Sequence, residues 1–585
     1  MELPQSVSAF PESSPYRTLG DYDWNLVRLA LQESGAAPEH EPSGSVICEV
    51  HYRAFDIFLP DEPFPLFFNK FHSTTRISTL AAAAPVQVGD DYSALLLEDV
   101  RTELKDPSVY STIVVVPVAS DEPNCVEVLV ISRDLWSLRV GFEPRLSGGA
   151  IEYLALGVEE TNFMGLNDTI GVNFILERGS WEIGPVWRTD WFMNRNLQIS
   201  EEIRVIFDRE RGGYEGLYNA FDLRRPLRSS WDKNAWYLTG YHRGGRGRVF
   251  GSSSIHRVEI DDPETGETWL VDERWNEMSL DVEAGYTRSF GIAFKNNLTF
   301  GAFMGLRNVS PAPMDDTIPE SVLEIFREER LPRGERAAGL HTRWDFYQNA
   351  YTYLTNYASF EVAEPYRRGL KLYASLRYSE PGLGADVRFL QLEAGAGYLQ
   401  PISYDSFVSV ALLQGGRLDI DGVVDRRTEA SLRLVLPTGW AGRFVARGWL
   451  RYNGNDHSNE RFRLGATTSL RGYSGYAAEG PHAWVANLEW RSQPLEVLSI
   501  FVGGAAFLDV GSAWGDTHYE TTYASVGVGI RFFIPQAMAR PGSVDVGFPI
   551  GHGAWRRGMP APMISLRFGQ AFSPVENMSL EVLHQ

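Results

Sequence analysis

Apolar and polar residues alternate with a period of two from about residue 137 to residue 572. In Leu370–Tyr378 one face reads Leu, Leu, Ala, Leu, Tyr and the other Lys, Tyr, Ser, Arg. In Ser525–Phe532, Val526, Val528, Ile530 and Phe532 alternate with Ser525, Gly527, Gly529 and Arg531. Similar stretches run through 298–306, 407–412 and 444–452. Successive side chains of a strand point to opposite faces, so each stretch predicts a strand with one apolar and one polar side. Tight connections at 400–403 and 437–442 contrast with long polar ones at 309–337 and 453–480. A literal strand count of sixteen to nineteen, with some neighbouring stretches taken as halves of one strand, predicts sixteen antiparallel strands.

The first 136 residues have another rhythm. Residues 45–50, 111–118 and 125–133 read as short apolar strands. Residues 65–71 and 92–104 read as helical, the second through Leu95, Leu96, Val100 and Leu104. The order strand, helix, helix, strand, strand predicts a small α+β domain over 44–136, with two helices on one face of its sheet. Residues 1–43 read as a polar leader or linker with one weak helix near Trp24–Leu31. The run Leu26–Leu31 contains Arg28 and is too short for a secretory signal. Either the protein is not exported or the sequence starts downstream of a cleavage site, and the features below favour the second.

Composition narrows the choice. The chain has 585 residues and a formal net charge of -21, which argues against a nucleic-acid partner. No run of 18 apolar residues occurs, so no transmembrane helix is expected. Aromatic residues make up 12% and are spread along the chain, which argues against disorder. A polar face carrying Arg and Lys opposite an apolar one suits a β-wall between water and lipid. A soluble sandwich or propeller would also alternate, but no repeat of 40–50 residues supports a propeller. Cys48 and Cys125 are the only cysteines, and the last 460 residues have none, as expected of a chain that crosses an oxidising compartment.

Candidate chemistry is sparse. There is no H-E-x-x-H, Walker loop or G-x-S-x-G, and the eleven His lack metal spacing. No catalytic residue, metal or cofactor is therefore expected, and the chain does not read as an enzyme. His72, after Asn69-Lys70-Phe71, is expected to pack or cap. The informative region is near the C-terminus. Arg461–Tyr473 ends in Arg471-Gly472-Tyr473, followed by Asn487-Leu488-Glu489-Trp490-Arg491 and then Phe507-Leu508-Asp509-Val510-Gly511. A guanidinium enclosed in a barrel needs carboxylates, and its planar fork can bridge two of them. Gly472 would allow a tight turn and Gly511 would leave room on the wall. Arg471 can also be read as an exposed loop residue and Asp509 as an ordinary inner-face acid.

In these motifs the chain resembles the outer-membrane insertase and translocase superfamily typified by BamA and TamA, the bacterial surface antigens. Residues 69–75, 88–92 and 133–138 are similar to sequences of its members with a single polypeptide-transport-associated (POTRA) domain. The resemblance covers about 44–572. It implies a transmembrane β-barrel over 137–572 and a periplasmic POTRA-like domain over 44–136. It also implies that loop 453–480 folds inward, so that Arg471-Gly472-Tyr473 meets Glu489 and the Asp509-x-Gly511 motif. The terminal strand would carry Phe568 and end near Phe572, leaving 573–585 as a C-terminal tail. In a POTRA-like sheet the first and third strands are neighbours, which would bring Cys48 and Cys125 within disulfide reach; two buried free thiols are the alternative. The implied function is assembly or transport of client polypeptides through a barrel with a lateral seam, in the bacterial outer membrane. The expected partners are outer-membrane lipid, unfolded or nascent clients and accessory assembly proteins. A gated pore or a lipid or solute transport barrel is the alternative.

Overall fold

The computed structural model describes residues 4, 10, 11, 14–19, 21–60, 66–104, 109–147, 150–210, 212–248, 255, 257–312, 317–360, 364–456, 462–465, 469–473, 478–497, 500–515, 522–534, 538, 541–551 and 562–568. Phe572 and the tail 573–585 lie outside the described residues.

The N-terminal domain is built on β1 (Val46–Phe55), β2 (Tyr110–Ala119) and β3 (Cys125–Asp134), in the order β1-β3-β2. β1 runs parallel to β3, and β2 antiparallel to it. Helices α1 (Asp21–Ser34), α2 (Ile77–Ala83) and α3 (Ala94–Leu104) cover this sheet. Val126, Val128 and Val130 of β3 pack with Leu80, Leu97 and Val100 of α2 and α3. On the opposite face Leu129 and Ile131 pack with Trp24, Val27 and Leu31 of α1. A strand buried on both sides reads as a continuous apolar run, which is how 128–131 is written.

This differs from the sequence expectation in two ways. The sheet is covered on both faces, because residues read as a polar leader supply a helix whose Trp24 is 0% exposed. The helix expected at 65–71 is a 3₁₀ turn, Leu66–Phe71, with Phe67 and Phe71 exposed. The first helix under the sheet lies later, at Ile77–Ala83, where Leu80 and Ala83 are buried.

From Leu138–Ser147 onward, each long strand pairs antiparallel with its neighbour along the chain, ending with Gly542–Pro549 against Met563–Phe568. The strand order returns on itself, with Met563–Phe568 beside Leu138–Ser147, and forms a closed barrel. Among the described residues the ring holds twenty-one segments, and two of them, His482–Arg491 and Leu495–Val497, pair with the same strand, Ile500–Trp514. Among the described residues the wall therefore has twenty strands, against an expected sixteen. The excess arises where segments are short. Ala150–Glu160, Thr169–Leu176, Ser180–Thr189, Gln198–Asp208 and Tyr214–Arg225 are five separate strands of 8 to 12 residues. Acid pairs such as Glu159-Glu160 and Glu201-Glu202 blur their alternation.

The wall is apolar outside and polar inside. Leu488, Leu508, Val526 and Phe548 stand side by side on four adjacent strands, and all are exposed. One residue along, Asn487, Asp509 and Ser525 form a parallel row, and all are buried. This reverses the burial rule of a water-soluble sheet.

At one end the N-terminal domain docks on the barrel turns. Asp99 of α3 accepts bonds from Ser230 N (2.7 Å) and Ser230 Oγ (3.0 Å), and Glu103 pairs with Arg228. Burial pushes the Glu103 carboxyl up to about 7, although the Arg228 guanidinium opposes the rise. At the far end the hairpin Arg257–Asp261/Thr268–Asp272 packs with α4 (Glu320–Glu329) through Val258, Ile260, Val322 and Phe326.

Cys48 and Cys125 are joined by a disulfide with Cα atoms 5.8 Å apart. The bond links the first and third strands across 77 residues of chain. Loss of such a cross-link typically costs about 2–4 kcal/mol. Cys48→Ala is expected to lower the domain's unfolding free energy by that amount. Non-reducing mass spectrometry should find a single cross-linked peptide pair; two free thiols in the oxidised, native protein would contradict the bond.

Candidate functional site

Four consecutive strands present charged groups to the lumen. His482–Arg491 carries Asn487, Glu489 and Arg491, and Ile500–Trp514 carries Phe507 and Asp509. Tyr523–Phe533 carries Arg531, and Gly542–Pro549 carries Asp545. All point inward because they share the parity of their strands with the buried row described above. The described part of the 453–480 loop reaches this wall. Phe462–Leu464 and Ala478–Gly480 pair as a short hairpin. Leu464 and Leu470 pack with Trp449, Ala483 and Val485 of the inner wall. Apolar packing thus brings the loop tip to the wall, and charge fixes it there.

Arg471 is 1% exposed. Its Nε donates to Asp509 Oδ2 at 2.9 Å and its Nη2 to Asp509 Oδ1 at 2.8 Å, a two-point fork. Its backbone N–H donates to the same carboxylate at 3.1 Å. Nη1 donates to Glu489 Oε2 and stands 3.6 Å from Asp545 Oδ2. The guanidinium carbon lies 3.5 Å from the centre of the Phe507 ring, so the cation also meets a π face. Glu489 in turn accepts from Arg491 Nε at 2.7 Å and Arg531 Nη2 at 3.3 Å, and Arg531 Nη1 donates to Asp545 at 2.6 Å. Asn487 ties the loop backbone to the cluster through Ser469 O and Asp509 Oδ1, both at 2.8 Å. Three guanidinium groups face three carboxylates, so the cluster is neutral overall.

The two glycines of the motifs are spatial requirements. A Cβ on Gly472 would fall 2.5 Å from Ser525 Cβ and 2.9 Å from the Phe548 carbonyl carbon. One on Gly511 would fall 2.9 Å from both Trp484 O and Val485 Cγ2. Tyr473 donates its hydroxyl to Ala524 O at 2.9 Å and packs edge-on against Tyr523. The structure thus gathers Arg471, Gly472, Tyr473, Glu489, Asp509 and Gly511 at one place. Phe568 lies apart, at the end of the last strand opposite Gly542. Sequence reasoning missed Asn487, Arg491, Arg531 and Asp545 as members of the cluster. Their signal was inner-face parity beside the motif carboxylates, as Arg531 shows among Ser525, Gly527 and Gly529.

A second polar arrangement sits where the domain joins the barrel. His72 shares hydrogen bonds with Asp134 Oδ2 (2.8 Å, through Nε2) and Ser137 Oγ (2.9 Å, through Nδ1). Its order resembles a hydrolytic Ser-His-Asp line, but Asp134 and Ser137 are 0% and 2% exposed and the His72 side chain 1%. Asp134 Oδ2 also accepts from Thr75 N at 2.7 Å. No substrate reaches a serine so enclosed; the group staples the first barrel strand to the domain.

Residues 365–572 match the Omp85 superfamily domain. No curated protein matches the chain. Among solved structures it is similar to CdiB from Escherichia coli, at 12% identity over 90% of this chain and 77% of that one, with a TM-score of 0.39. It is also similar to CdiB from Acinetobacter baumannii (11%, 90% and 74%, 0.37) and to BamA from Haemophilus ducreyi lacking POTRA domains 1–3 (12%, 90% and 84%, 0.33).

Removing one partner of a buried ion pair typically costs about 3–5 kcal/mol, because the other charge is stranded. Arg471→Ala and Asp509→Asn should each lower the thermal unfolding midpoint of the detergent-solubilised protein. The double variant should be no worse than either single one. Arg471→Lys should recover only part of the loss, since an ammonium lacks the planar fork. Additive losses in this cycle would show that the two residues do not act as one latch.

Proposed function

We propose that this protein is a bacterial outer-membrane insertase or translocase with one periplasmic POTRA-like domain and an inner loop latched by Arg471. The observation that carries the proposal is the combination of an apolar outer belt with a neutral cluster of six buried charges holding a loop inside. A soluble barrel would turn its leucines inward, and an open pore would have no need of a plug fixed by both apolar packing and ion pairs.

The barrel offers a route for β-rich clients. Its ring is joined where Met563–Phe568 meets Leu138–Ser147. If that junction parts, the opened strand edge templates an incoming strand. Client folding and lipid burial would drive the process, with no nucleotide involved. The domain's sheet offers a second edge at β2. There, Ala37–Glu39 already bond along Pro117–Ala119, so a client strand would meet β2 nearer Tyr110.

The protein is expected to resist carbonate extraction and to migrate faster on a gel unless heated; a chain that stays soluble without detergent would refute membrane embedding. A photo-crosslinker in place of Ile564, on the last strand, is expected to trap unfolded outer-membrane polypeptides. If it traps none while Arg471→Ala raises bilayer conductance, the gated-pore or lipid and solute transport reading replaces the insertase.

A further inference from the structure

The long lumen loop has a counterpart from the other end. After Glu335–Gln348 the chain does not turn directly into Gly369–Ser379. Tyr351–Leu354 and Glu364–Arg367 pair as a hairpin instead, at the end where the N-terminal domain docks. Residues 361–363 lie outside the described residues. The described part folds against the inner wall. Leu354 and Tyr357 pack with Leu399, Phe407, Val435 and Val445, and Val445 is the register partner of inward-facing Glu489. Phe360 packs with Phe501 and Phe533 further round the ring.

Polar contacts make this hairpin a built element. The buried Glu364 carboxylate gathers the turn, accepting from Tyr357 N (3.1 Å), Ala358 N (2.9 Å), Ser359 N (2.8 Å) and Tyr366 OH (2.8 Å). Asp405 accepts from Thr355 N at 2.8 Å, and Arg443 bonds both Asp405, at 2.6 Å, and Thr355 O. One contact leads into the charged cluster. Arg491 Nη1 donates to Tyr357 O at 2.6 Å, while Arg491 Nε donates to Glu489 at 2.7 Å. The same Glu489 holds Arg471 of the outer loop. Another contact leads to the N-terminal domain. The Arg101 guanidinium of α3 lies 5.5 Å from the Tyr353 ring centre.

We infer, on the footing of the latched barrel proposed above, that the paired strands Tyr351–Leu354 and Glu364–Arg367, with residues 355–360 packed on the wall, form a second lumen plug and that Arg491 is the positioning residue joining it to the Arg471 latch. Docking of α3 on Tyr353 thereby biases the latch some distance away. The chain of contacts runs from α3 through Tyr353, the Tyr357 carbonyl and Arg491 to Glu489, and ends on Arg471. Coupling of this kind needs an element with two arrangements whose balance both ends shift. The hairpin is that element: Arg491 ties its turn to the latch, and the Tyr353 ring meets Arg101 of α3 at its base. Undocking of the domain loosens the base, shifts Tyr357 and withdraws Arg491 from Glu489, which then has one fewer cation orienting it toward Arg471.

The test is a thiol placed under the latch. Ser469→Cys substitutes a residue that is buried while the outer loop is seated, and both native cysteines are tied in the disulfide. Labelling by a membrane-impermeant maleimide is followed in proteoliposomes, with heat-modifiable migration as the check on folding. Arg471→Ala is the control and should speed labelling strongly. Arg491→Gln should speed it roughly tenfold, the order expected for losing one hydrogen bond to a charged group, and Tyr353→Ala should speed it as well. Arg101→Gln keeps the Tyr353 ring and removes only the cation beside it, so it carries the test if the alanine variant does not fold. If Arg471→Ala itself leaves labelling unchanged, the latched barrel is wrong. If Arg471→Ala speeds labelling while folded Arg491→Gln and Arg101→Gln leave it at the parent rate, the latch stands and the coupling is overturned.

Discussion

A guanidinium taken out of water must be met by carboxylates, and the inner face of this barrel is arranged around that need. Arg471 sits at a loop tip, so its partners have to come from the wall. One carboxylate would neutralise it; two, on adjacent strands, also fix its direction. Asp509 takes the fork, Glu489 takes the remaining nitrogen, and the Phe507 ring closes the flat side. Glu489 would then carry an incomplete hydrogen-bond shell, and Arg491 and Arg531 complete it. Asp545 balances Arg531. Each member is present because another would otherwise be buried without a counter-charge.

The cluster requires a rigid wall, and the closed ring supplies one. A residue's inward or outward direction is set by parity along the strand, and a slip of one residue would expose every charge to the outer belt. The outer leucines and the inner charges therefore enforce one register from both sides. The strands carrying Glu489, Asp509, Arg531 and Asp545 are chain neighbours, so their relative heights follow from consecutive hairpins.

How much of this was legible in the sequence depended on whether the determinant was local. Arg471, Glu489 and Asp509 stood out because they lie within short motifs in a fixed order. Arg531 and Asp545 did not: each is an ordinary inner-face charge whose role arises only from the register of neighbouring strands, which no short motif records. The strand number suffered similarly, since segments such as Thr169–Leu176 are too short for period two to separate one strand from half of another. Helix α1 was legible only as one weak helix near Trp24–Leu31, and the sheet face against Trp24 shows why it forms. The 65–71 run misled in the opposite sense: it has helical spacing, but Phe67 and Phe71 stay exposed. The Tyr351–Arg367 hairpin has unremarked composition, and its inward fold depends on partners such as Arg443 and Arg491, about 90 and 140 positions away in the chain.

A charged latch has a property that an apolar plug lacks. Burying an apolar loop tip gains free energy in proportion to the area covered, and release returns that area to water at full cost. Burying an ion cluster sets a large attraction against a large desolvation penalty, so the net preference for the closed state is small while each member is individually indispensable. Water entering the lumen hydrates all six groups at once as the loop leaves. The closed state is thus specific in geometry and modest in depth, the condition under which a client strand or a displaced hairpin can shift the balance with the free energy of a few hydrogen bonds.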